Sequence, residues 1–154
     1  MKFSTSVLVP SVALVSSILI HSILTVPQDP PEQATKAIEA HLAIPADVYQ
    51  ILQRSCYDCH SYRTQWPWYA RLPGIQEFLQ KDVTRARRHL NLSDWSAKMK
   101  EGRDEAKASL NGICEELRTN SMPITHYRWL HRNAGLSPAE TEAVCRWTST
   151  AMAH

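Results

Sequence analysis

From about residue 34 onward, apolar positions recur at helical rather than strand spacing. Val48, Ile51 and Leu52 stand at i, i+3 and i+4, which predicts a packed helix from Ala46 to about Cys56. Ile75, Phe78, Leu79, Val83, Ala86 and Leu90 form a second helical stripe. Ser93 reads as the cap of a third helix, whose stripe of Trp95, Met99, Ala106, Leu110, Ile113 and Leu117 runs to about Arg118. A short helix is expected over Thr125–His131. Ser137-Pro138-Ala139-Glu140 is a capping box with proline at the first helical position, opening a last helix with Ala143, Val144, Trp147 and Ala151 inward. A weaker helix is expected near Ala34–Leu42. No stretch alternates with period two, so the pattern predicts an all-α domain over residues 34–154.

The N-terminal pattern is different. Ser6 to Val26 contains no charged residue, and as a helix it would span roughly 30 Å, about the apolar thickness of a bilayer. Lys2 precedes it while Asp29 and Glu32 follow, which by the positive-inside tendency sends the rest of the chain across the membrane. Residues 1–26 therefore read as a membrane anchor or a signal segment. The anchor is favoured, because no A-x-A-like cleavage triplet closes the run. Pro27, Pro30 and Pro31 make residues 27–33 a stiff linker.

Composition narrows the picture. A chain of 154 residues with four glycines suits one small helical domain. A net charge of +2 gives no electrostatic case for nucleic acid. Five Trp and five Tyr against two Phe suit a protein that wraps a flat apolar ligand and hydrogen-bonds its edge.

Cys56-Tyr57-Asp58-Cys59-His60 carries the most chemical information. At C-x-x-C-H spacing two thiols can reach the two vinyl groups of one porphyrin, with the adjoining imidazole over the metal. A thioredoxin-like pair would need βαβ surroundings, and a zinc site would need a second ligand pair; neither is present. The expected cofactor is one covalent haem c, with His60 as proximal iron ligand. For the distal position Met122 is preferred, since it precedes Pro123 in a loop between helices. His89, His126, His131 and an open site remain as alternatives, and Met99 reads as core. A thioether ligand would hold the iron six-coordinate and favour electron transfer over catalysis.

These residues resemble a bacterial family of small haem-binding domains. Its first block, C-x-D-C-H-S-N-x-T-x-W-P-W-Y, is similar to Cys56–Tyr69; its second, D-V-x-x-G-R-x-x-L-N-x-S-x-W, to Asp82–Trp95. A third, M-P-x-x-x-Y-x-x-x-H-x-x-A-x-L-S, matches Met122, Pro123, Tyr127, His131, Ala134, Leu136 and Ser137. The resemblance implies an exported monohaem cytochrome c-like domain with Met122 as distal ligand. Departures are Ala86 for a usual Gly, Tyr62 for a common Asn, and Pro73-Gly74-Ile75-Gln76 for a Pro-Val-Ser-Trp stretch.

Trp66, Trp68, Tyr69 and Trp95 are candidates to line the haem or bond its propionates, and among Arg63, Arg71 and Arg87 the last is favoured for propionate pairing. Cys114 and Cys145 are expected to form a disulfide, worth roughly 3–4 kcal/mol for a loop of about 30 residues. The expected function is electron transfer rather than catalysis, on the periplasmic side of an inner membrane. Redox partner proteins are expected, within a respiratory or photosynthetic complex or outside one. A peroxidase-like or gas-sensing haem protein with an open distal site is the alternative.

Overall fold

The computed structural model describes residues 27–72 and 74–152, together with Leu14, Ser16 and Ser17. Most of the expected anchor lies outside the described residues. Among the described residues no helix is long and apolar enough to cross a membrane, and no strand occurs. Among the described residues seven α-helices are complete: α1 (Ala46–Ser55), α2 (Tyr57–His60), α3 (Ile75–His89), α4 (Trp95–Glu101), α5 (Arg103–Arg118), α6 (Thr125–Leu130) and α7 (Pro138–Thr150). The chain divides into two compact units, one of residues 29–64 and 83–154, the other of residues 1–28 and 65–82.

The larger unit holds the core. Ile38, Leu52, Leu92, Trp95, Leu110 and Val144 are all at most 1% exposed. α5 packs along α7, and α7 also packs against α1. The expected disulfide between Cys114 and Cys145 is present and staples α5 to α7. Trp147 on α7 donates its indole N–H to Ala43 O at 3.0 Å, fixing the approach to α1. α7 begins as the sequence predicts. Ser137 Oγ accepts from Glu140 N, and Glu140 returns its carboxylate to Ser137 N, so two of the orphan donors at the helix start are satisfied.

Two expected elements differ. The single helix from Ser93 to Arg118 is broken at Gly102, whose φ of 137° no L-residue adopts readily, giving α4 and α5. Ser93 does not cap it. Asn91 caps a 3-10 turn over Leu92–Asp94 through its side chain, while the Ser93 hydroxyl accepts from Tyr62 N and donates to Glu32. The weak helix near Ala34–Leu42 is only a 3-10 turn at Ile38–Ala40. Ala37 is extended there (φ −67°, ψ 155°), which seats Ile38 in the core and presents Glu39 to Tyr57 and Arg63.

The segment expected as a linker carries specific bonds. Asp29 accepts from Thr64 N at 2.7 Å and from Arg87 at 2.7 Å, and Glu32 accepts from Arg63 Nε at 2.6 Å. In the smaller unit a 3-10 turn over Trp68–Arg71 precedes the first half of α3, and Ala70 is buried. The α3 stripe is only partly inward. Val83 is buried, whereas Ile75 and Phe78 are 41% and 49% exposed.

Candidate haem-binding site

α1 delivers the motif. Val48, Ile51 and Leu52 are buried, so the helix has one fixed rotation as it reaches Cys56. Cys56 then leaves helical geometry (φ −127°, ψ −39°), and α2 restarts at Tyr57. His60 N donates to Cys56 O at 2.9 Å, which closes the turn carrying both cysteines and the histidine. Tyr57, between them in sequence, is 3% exposed and donates its hydroxyl to Glu39 at 2.9 Å. Arg63 crosses the Tyr57 ring at 5.3 Å and binds Glu39 at 2.8 Å as well as Glu32. The inner face of the motif is thus clamped by an aromatic ring and an ion-pair network.

His60 has one ring nitrogen committed to the backbone. Its Nδ1 lies 2.9 Å from Leu90 O and can only donate there, which leaves Nε2 as the lone-pair nitrogen. Burial holds the imidazole below its ordinary pKa, so it is neutral near pH 7. Cys56 and Cys59 are not disulfide-bonded, and burial pushes the Cys56 thiol up to about 12, with the neighbouring Cys59 adding to the rise. A neutral nitrogen ligand beside two reduced thiols fits a porphyrin with two vinyl groups. Among the described residues no cluster of three His, Cys, Asp or Glu groups could hold a bare metal ion.

The other expected residues fall in two places. Met122 is half-buried in the turn between α5 and α6, its N–H donating to Glu116 O at 3.2 Å, and Pro123 behind it is buried and joined by a cis bond. Arg87 places one amino group between Asp29 and Thr64 Oγ1 and its guanidinium 5.1 Å over the Tyr62 ring; its Nε is buried with no acceptor. Trp95 is fully buried, and its indole N–H also has no acceptor. Met99 packs against the core, as expected. Trp66, Trp68 and Tyr69 belong to the smaller unit, where Trp68 meets Tyr69 edge to face at 5.8 Å and is 75% exposed. Arg63 is committed to two carboxylates, and Arg71 is exposed.

Sequence reasoning passed over Asp58 and Tyr127. The Tyr127 hydroxyl donates to Asp58 Oδ2 at 2.7 Å, joining α6 to the residue between the two motif cysteines. Burial first, then the bond to Asp58 and the nearness of Cys59 and Cys56, push the phenol well above its usual pKa. Both residues occupy fixed positions in the motif blocks, but no spacing in the chain announces a bond across 69 residues.

A small helical domain with a half-buried, tautomer-fixed histidine beside two reduced cysteines suits a haem-binding protein. The chain belongs to the haem-binding domain family, whose model matches residues 15–150, and this is the family the motif blocks resemble. A stretch of 95 residues is 24% identical to cytochrome c peroxidase Ccp of Escherichia coli (strain K12). It covers 62% of this chain and 20% of that protein, so the chain spans about a fifth of that relative's length. No solved structure matches.

Proposed function

We propose that this protein is a monohaem c-type cytochrome that carries single electrons. In this reading Cys56 and Cys59 attach the haem, His60 Nε2 is its proximal ligand and Met122 its distal one. The observation that carries it is the His60–Leu90 hydrogen bond, because it commits one ring nitrogen to the backbone and leaves the other for iron. The haem supplies a one-electron couple, whose potential thioether ligation raises.

The protein's own residues do the rest. Leu90 O holds the proximal ring in place and raises its basicity as a ligand. The clamp of Glu39, Tyr57 and Arg63 keeps the motif rigid, which limits reorganisation on electron gain or loss. The unpaired donors Trp95 Nε1 and Arg87 Nε suit carboxylate acceptors such as propionates. The Cys114–Cys145 disulfide and the charge-free run before Pro27 both support a domain held on the oxidising, periplasmic side of a membrane, passing electrons to partner proteins there.

The likeness to cytochrome c peroxidase favours a second reading, in which the distal position opens to a small ligand. Carbon monoxide separates the two. In the first reading the reduced, unaltered protein binds CO slowly and weakly, while Met122→Ala binds it readily and has a lower potential. Fast CO binding by the unaltered protein supports the second reading and removes Met122 as a tight ligand.

A further inference from the structure

α6 is weakly rooted for a helix so close to the motif. None of its six side chains is buried, and Trp129 and Leu130 are 73% and 65% exposed. A helix of six residues does not persist through local propensity. The Met122 turn before it is tied to the end of α5, where Ser121 N and Met122 N both donate to Glu116 O, at 3.0 and 3.2 Å. Arg128 reaches back to Asn120 Oδ1 at 2.8 Å. Those bonds shape the turn, and Tyr127 ties it to the cysteine motif. Its hydroxyl donates to Asp58 on α2, and its ring stacks on His131 at 4.1 Å with 17° between planes, which sets the direction of the phenol.

We propose that the Tyr127–Asp58 hydrogen bond is a latch that holds the Met122 segment against the haem-attachment helix, making both positioning residues for the distal ligand. The inference rests on the reading of Met122 as that ligand. Tyr127 follows Met122 by five residues, so their α-carbons are at most about 18 Å apart along the chain. Withdrawal of Met122 with α6 breaks the bond, and a latch that must break in the open state suppresses that state. A hydrogen bond to a part-buried carboxylate is worth roughly a 10- to 100-fold change in such an equilibrium.

The test uses the full chain with haem attached. In the reduced protein, CO uptake limited by Met122 withdrawal scales with the open population. Tyr127→Phe keeps the ring stack and removes only the hydroxyl. It is expected to speed CO uptake about 10- to 100-fold, and to speed amide exchange of residues 124–130 by a similar factor. Asp58→Ala shifts both readouts in the same direction, and the double variant falls short of the product of the single effects, because both changes break the Tyr127–Asp58 bond. Asp58→Asn keeps an acceptor, so its shift is smaller. Multiplicative effects in the double variant, or wild-type CO uptake and amide exchange in Tyr127→Phe, overturn the latch. Failure of the parent reading looks different. There the ferric protein lacks a sulfur-to-iron charge-transfer band and Met122→Ala leaves CO uptake unchanged, while amide exchange still reports whether Tyr127 holds α6.

Discussion

Replacing Cys114 and Cys145 together with alanine removes the one covalent tie between α5 and α7, and the size of the loss follows from where the bond sits. The cysteines are 31 residues apart, and closing a loop of that length restricts the unfolded chain by roughly 3.7 kcal/mol at 25 °C in the chain-entropy treatment. At about 2–4 °C per kcal/mol for a chain of this size, the melting point is expected to fall by roughly 7–15 °C. Urea unfolding followed by far-ultraviolet circular dichroism gives the free energy directly. The slope against urea should also rise slightly, since an uncrosslinked chain exposes more surface when unfolded. The double variant should match the unaltered protein after reduction. A difference below about 1 kcal/mol, with unchanged slope, would refute the reasoning, because the cross-link would then do nothing to the unfolded state.

Other expectations follow from single groups. Ser137 N–H, and after it Arg54, hold the Glu140 carboxyl below its usual pKa, so its contribution is present above about pH 4.5 and is lost as the pH falls further. Glu140→Gln should therefore flatten the fall in stability below that pH, as read from acid titrations of the urea midpoint. In chain produced without haem attachment, Cys56 with a pKa of about 12 is nearly all thiol at pH 8. Its higher intrinsic nucleophilicity offsets part of that, leaving alkylation by iodoacetamide roughly two orders of magnitude slower than for an ordinary cysteine. Peptide mapping against time measures it, and an ordinary rate would show that the thiol is not buried.

Helical periodicity made most of the larger unit legible. The Val48–Ile51–Leu52 stripe, the capping box at Ser137 and the pairing of Cys114 with Cys145 are local or compositional signals, and the structure bears them out. Gly102 divides the helix expected from Ser93 to Arg118, and the apolar stripe on both sides of it reads as continuous because α4 and α5 bury their faces in the same core. Ser93 illustrates a different failure. A serine before an apolar run looks like a cap, but here tertiary partners, Tyr62 N and Glu32, take its hydroxyl and Asn91 caps instead. The cysteines and His60 were plain from spacing. What orients them was not: Leu90 O is a backbone group 30 residues away, and Glu39 and Tyr127 reach the motif only because the chain folds back on itself.

The proposed function requires one porphyrin joined to Cys56 and Cys59. The direct measurement is the mass of the denatured polypeptide, purified from cells that export it and attach haem, with its absorbance after acid-acetone extraction. The chain is expected to be heavier by one haem and to keep its Soret band, and a Cys56→Ala/Cys59→Ala variant to lose both. A polypeptide of unmodified mass, its pigment wholly extracted, would contradict it.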